Sequence, residues 1–337
     1  MLKKPLILGG RETYTRMDNA WEEVLEKTLG DAPGEVLGVV LFGSYSSGGM
    51  DEYSDVDIAV IVSSDKPLRK YWVLQDLELD VLYIPRGFFD EVVVEAHDRV
   101  EYTLWQTHTL YLKILLEGKI LYDPDNIVSE WMSLVENWKW TRREIRLALE
   151  YLYEDIDQAR RLLEEEQFLE AIIALRDSID LIVTIYALAY NEVPSPKPKD
   201  IYNEAVRYGL KKQYVNIQGL EENTRATLVF SYQYPRSGIV GCALRRVERE
   251  LERGNNHLAL LEARNLVLTE SFTSMGKSIP QPYISQPKIE LLARLKGWRR
   301  RLLEKLHGIE NASPSTVIQG LEVVTNLIEQ VRNRFTT

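Results

Sequence analysis

Residues 41–62, LFGSYSSGGMDEYSDVDIAVIV, leave a chain few ways to fold. An apolar run ends at Gly43-Ser44. A turn-rich segment follows, and Ser54-Asp55-Val56-Asp57 leads into the apolar run Ile58-Ala59-Val60-Ile61-Val62. Short β-branched runs bounded by Gly, Ser and Asp are strands joined by turns. The spacing predicts strand, turn, short helix, turn, strand. Successive side chains on a strand point to opposite faces, so Asp55 and Asp57 fall on the same side.

The flanking sequence completes a small domain. Residues 18–29 read as a helix, with Trp21, Val24, Leu25 and Leu29 on one face and Asp18 or Asn19 as its cap. Residues 35–42 are the first core strand. Two more β-rich runs, 70–74 and 79–84, are joined tightly, and Pro85-Arg86-Gly87 stops the second. Helices are expected over 88–96 and 102–117, and Gly118 with the Asp123-Pro124 turn closes the domain. The fold class is α/β (α+β), a small mixed sheet with helices, over 1–125.

After Asp125 the period becomes helical. Runs at 127–138, 141–165 and 168–190 predict an antiparallel bundle over 126–195. The proline-rich segment 193–198 is a break. Helices at 199–209, 220–232, 238–275, 286–307 and 315–334 make a further all-helical domain over 196–337.

Composition narrows the function. The formal charge of −10 argues against nucleic acid as the main partner. Cys242 is the only cysteine, which excludes an internal disulfide and suits a reducing cytoplasm. The longest apolar stretch, 181–190, is too short to span a bilayer, so no membrane role is expected.

The chemistry follows from residues 41–62. Attack on the α-phosphate of a nucleotide concentrates negative charge on phosphate oxygens. Two divalent cations can activate the attacking oxygen and stabilise the leaving one. Mg²⁺ prefers carboxylate and phosphate oxygens, so its site needs acidic side chains on rigid elements. Gly43 lets backbone approach phosphates, and Ser44 offers a hydroxyl at a helix start.

The order Gly43, Ser44, Gly48, Ser54, Asp55, Asp57 resembles the signature of the DNA polymerase beta-like nucleotidyltransferase superfamily, in particular its minimal and kanamycin-type members. The resemblance covers roughly the first 120 residues and implies a third carboxylate, matched by Asp80. Ser47 stands where many minimal members carry a basic residue. The resemblance implies that Asp55, Asp57 and Asp80 bind two Mg²⁺ ions, with Asp80 nearer the acceptor and a candidate for taking its proton. It also implies that Gly43, Ser44 and Ser54 contact the nucleotide. The expected reaction moves a nucleoside monophosphate, AMP from ATP or its equivalent from another nucleoside triphosphate, to a hydroxyl with release of pyrophosphate. The acceptor is a small molecule or a protein, and a homodimer is left open. The alternative is a regulatory, antitoxin-like protein that binds or modifies a protein partner.

The helical part resembles the bundle of kanamycin-type enzymes and the HEPN domains. A base from that bundle is implied, and Glu144, Glu150 and Glu154 are the candidates, on an acidic face expected to serve the acceptor. Arg300 or Arg301 with His307 has the spacing of HEPN ribonucleases, but Leu302 replaces the polar residue that follows the Arg there. His307 is therefore read as a cation at a helix C-terminus, before Gly308.

Overall fold

The computed structural model describes residues 18–48, 55–74, 77–98, 109–195, 197–220, 227–230, 239–274, 288–290, 294–295, 297–308 and 313–335. The chain divides into two compact units, Met1–Leu104 with Leu110–Trp138, and Trp105–Thr109 with Lys139–Thr337. Among the described residues, no helix is long and apolar enough to cross a membrane.

The first unit contains α1 (Asp18–Gly30), β1 (Val36–Phe42), α2 (Ser44–Ser47), β2 (Val56–Val62), β3 (Leu68–Leu74), β4 (Leu77–Pro85), α3 (Arg86–Asp98), α4 (Thr109–Glu117), β5 (Lys119–Tyr122) and α5 (Ile127–Val135). The sheet order is β3-β4-β2-β1-β5. Strands β2 and β4 run parallel, and the other neighbours are antiparallel. This is the mixed sheet expected from the sequence.

Pleat parity sorts the side chains. Val56, Ile58, Val60 and Val62 join Val39, Leu41, Leu79, Val81 and Tyr83 in one core with Val24 of α1. The Tyr83 hydroxyl, carried into that core, donates to the Thr28 carbonyl at 3.1 Å. On the other face, Phe89 of α3 stacks on Trp131 of α5 with ring centroids 5.5 Å apart. Gly38 in β1 leaves room for Val128 of α5, which any Cβ there would strike. All seven residues of β2 are therefore buried. Two covered faces explain why residues 58–62 read as an unbroken apolar run rather than an alternating one.

Strand β5, which pairs antiparallel with β1, was not expected. Its four residues are only half-buried and follow Gly118 directly, so periodicity gives little sign of it. Helix α5, expected as the first bundle helix, lies within the first unit because Val128 and Trp131 bury themselves on the sheet side. The start expected for α4 falls outside the described residues.

The second unit contains α6 (Arg142–Glu164), α7 (Phe168–Ala189), α8 (Pro198–Arg207), α9 (Lys211–Gln218), α10 (Ile239–Glu252), α11 (Asn256–Ser274), α12 (Trp298–Leu306) and α13 (Pro314–Phe335). Helix α6 starts on a capping box, in which Thr141 and Glu144 satisfy each other's backbone amides. Helix α7 is buried on all sides from Leu169 to Leu188. A helix surrounded in this way must pair its polar groups internally. Asp177 accepts from Lys288 at 2.5 Å. Asp180 accepts from the Tyr214 hydroxyl at 2.8 Å and from Gln218 at 3.0 Å.

His307 caps α12 as expected, but not as a cation. It is buried, and Arg176 bonds its Nδ1. Burial, and then the charges of Arg264, Arg176 and Lys288, hold its pKa well below the usual value. The positive charge at this helix end comes from guanidiniums instead. Arg264 Nε donates to the Leu306 carbonyl at 2.8 Å, and Arg176 Nη2 donates to the His307 carbonyl at 3.0 Å. Arg300 pairs with Glu304 and Glu170, and Arg301 is exposed.

Burial, followed by the charge of Asp177, pushes the Asp180 carboxyl from an ordinary 3.8 up to about 7. A carboxyl raised in the folded state binds its proton more tightly there than in the unfolded chain. Its contribution is fully present below the unfolded value and is lost as pH rises through about 7. The contribution of Asp180 to the melting temperature of the helical unit should therefore fall between about pH 4 and 7. Asp180→Asn should flatten that slope, as followed by circular dichroism melts across the range.

Candidate active site

The site is built by strand register. Asp57 on β2 is the direct partner of Asp80 on β4, so parallel pairing sets the two carboxylates side by side on one face. That face is opposite the one that α1 covers, because their neighbours Val56, Ile58, Leu79 and Val81 point into the α1 core. Asp55 immediately precedes β2. Oxygens from Asp55, Asp57 and Asp80 all lie within 4.8 Å of one another. Asp57 and Asp80 are buried and Asp55 is half-buried. All three metal-binding candidates from the sequence thus come together.

The end of β1 closes one side. Phe42 pairs with Asp57, and Gly43 follows with φ 73° and ψ −149°. This region of backbone space is essentially reserved for glycine. The missing side chain has a second reason, since a Cβ at Gly43 would collide with the Asp57 carboxylate. Gly43, expected from its sequence context to let backbone approach phosphates, makes room in the structure for a carboxylate of the triad. Ser44 begins α2, and the Ser46 and Ser47 hydroxyls donate to the Gly43 carbonyl at 2.9 and 3.2 Å. Gly48 ends this turn in the left-handed conformation. Tyr45 is half-buried against the α1-side core. Ser54 lies outside the described residues.

Arg69 was missed by the sequence reading. It sits on β3 opposite Leu82, two residues beyond Asp80, and so reaches Asp80 diagonally on the same face. Its Nε donates to Asp80 Oδ1 at 2.8 Å, and its Nη2 bonds Oδ2. The guanidinium lies over the Tyr71 ring, 4.8 Å from the centroid. Burial alone would lower the Arg69 pKa, but the bond to Asp80 and the charges of Asp80, Tyr71 and Asp57 raise it well above its ordinary value. The only signal in the sequence was parity: Arg69 shares a strand face with Tyr71, the residue opposite Asp80.

The donor set suits a hard divalent cation. Carboxylate oxygens are the ligands Mg²⁺ and Mn²⁺ prefer, and two of the three side chains are fixed by a hydrogen-bonded sheet. Of the base candidates in the helical unit, Glu144 is engaged in the Thr141 capping box, while Glu150 and Glu154 are exposed.

The N-terminal part of the chain is similar to known proteins. Residues 18–122 match the model of the nucleotidyltransferase domain. A protein of Methanocaldococcus jannaschii named "Putative protein adenylyltransferase" is 31% identical over 125 residues, which is 36% of this chain and 81% of that one. A nucleotidyltransferase-like protein of known structure from Exiguobacterium sibiricum aligns over 94% of this chain and 91% of its own at 13% identity, with a TM-score of 0.36. The chain belongs to the nucleotidyltransferase family, as the signature around Gly43 and Asp57 implied. The matched region contains every residue of the triad.

The Gly43 geometry gives a test of the local fold. Gly43→Ala should destabilise the protein by about 1–3 kcal/mol for backbone strain alone, with the carboxylate collision added. Gly48→Ala, also at positive φ but in open space, should cost only about 1–2 kcal/mol. Urea unfolding of the two variants beside the parent checks the difference.

Proposed function

We propose that this protein is a metal-dependent adenylyltransferase that moves AMP from ATP to a hydroxyl of a protein acceptor and releases pyrophosphate. The observation that carries the reading is the convergence of Asp55, Asp57 and Asp80 on neighbouring strands of a nucleotidyltransferase domain. The name of the Methanocaldococcus relative supports AMP as the group moved and a protein as the acceptor. A reducing cytoplasm suits a chain whose only cysteine is Cys242.

Asp55, Asp57 and Asp80 would hold the divalent cations. Mg²⁺ bound there would offset charge on the phosphate oxygens and lower the pKa of the attacking hydroxyl. The chain's own part is orientation. Asp57 and Asp80 are held by the β2–β4 ladder, so their spacing needs no adjustment during the reaction. Gly43 and Ser44 at the start of α2 are the proposed contacts for the triphosphate, with Ser54 as a third. Acceptor orientation has to come from a second surface, because one face of a small sheet cannot enclose a substrate.

Asp57→Asn is the deciding variant. Transfer of label from α-labelled ATP, read by mass spectrometry of the acceptor protein, should fall on the order of 10²–10³-fold or more, as for loss of one preorganised charge-stabilising group. The melting temperature without metal should not fall, because the substitution removes one of three crowded negative charges. Full activity in the Asn variant would end the assignment. A parent protein that binds its partner but transfers no label would leave the regulatory, protein-binding reading.

A further inference from the structure

The triad holds three carboxylates within 4.8 Å of one another, two of them buried, and ionised carboxylates so placed repel. Among the described residues, Arg69 is a cation set against them, at Asp80. It engages both oxygens of Asp80 and is close enough to Asp57 to feel its charge. The two ends of the pair differ in freedom. The Asp80 side chain is 4% exposed, whereas that of Arg69 is 47% exposed, on the edge strand β3. The carboxylate is thus fixed, whereas the guanidinium, lying over the Tyr71 ring, is half-exposed at the edge of the sheet.

We propose that Arg69 is a built-in competitor for the metal site, a positioning residue that holds the Asp80 carboxylate in place and must yield it for a divalent cation to take all three carboxylates. The inference rests on the metal reading above. Both the guanidinium and a divalent ion seek the same buried oxygens, and their like charges oppose joint occupancy at short range. Arg69 therefore sets the threshold for metal entry. A cation arriving with a nucleoside triphosphate has an advantage, because the phosphates offer the displaced guanidinium a new anionic partner.

The test is equilibrium binding of Mn²⁺ alone, followed by electron paramagnetic resonance, in the parent, Arg69→Gln, Arg69→Lys and Asp57→Asn. Removing one unit charge within bonding distance of a ligand should tighten Mn²⁺ binding at least about tenfold in Arg69→Gln. The same variant should melt lower without metal, and Mn²⁺ should raise its melting temperature more than it raises that of the parent. Arg69→Lys keeps the charge and loses the two-pronged grip, so it should bind Mn²⁺ more tightly than the parent, by less than Arg69→Gln does. It serves as the deciding variant if Arg69→Gln does not fold.

Unchanged or weaker Mn²⁺ binding in Arg69→Gln overturns the proposal, as does unchanged or weaker binding in Arg69→Lys where Arg69→Gln does not fold. A purely structural salt bridge would lower the melting temperature and leave the affinity alone. Asp57→Asn separates the two levels of inference. If the parent binds no Mn²⁺ that Asp57→Asn loses, the metal reading fails and takes this proposal with it. If that binding is present and the Arg69 variants do not move it, only the proposal fails.

Discussion

Parallel pairing of β2 with β4 places Asp57 beside Asp80, and most of the first unit can be understood as a response to that juxtaposition. Two buried carboxylates on adjacent strands, with Asp55 close by, are electrostatically unfavourable unless something positive faces them. The sheet supplies its own answer in Arg69, on the next strand out. It also clears space for the Asp57 carboxylate by ending β1 on a glycine in a conformation that other residues avoid. The core on the α1 side, from Val24 through Ile58 to Val81, supplies the apolar burial that lets the ladder carry this crowding.

The helical unit handles buried charge in a different way. Helix α7 is enclosed along its length, yet it carries Arg176, Asp177 and Asp180 among its buried residues. Each is tied to another segment, to His307, Lys288, Tyr214 or Gln218. Buried pairs of this kind add little net stability compared with apolar packing, but an unmatched arrangement of the helices would strand a charge. The network therefore favours one packing of α7, α9 and α12 over its alternatives.

Much of this was legible in the sequence, and the failures have physical causes. Asp55 and Asp57 could be placed on one side because strand alternation is a local rule, and Asp80 because it sits in a recognisable β run. The partner of Asp80 could not be found in that way. Arg69 reaches it across a strand pair on a diagonal, and only the register between β3 and β4 reveals the contact. Strand β5 escaped notice because four half-buried residues carry almost no periodicity. Helix α5 shows an amphipathic pattern, but such a pattern does not say which surface it will meet. His307 was assigned by a rule for exposed helix ends, and burial beside Arg176 and Arg264 disfavours the charge that rule gave it.

The alternation of β2 and β4 has a consequence for inheritance and error. Along both strands, odd and even positions have opposite tasks: Val56, Ile58, Leu79 and Val81 fill a core, while Asp57 and Asp80 face the other way. A slip of one residue in either strand would exchange the two sets, driving a carboxylate into hydrocarbon and turning a valine or leucine toward the site. The misthreaded chain would not be a folded protein with a damaged centre; it would fail to fold. The same parity that places the carboxylates therefore proofreads them, and selection for a stable sheet guards the geometry of the site as well.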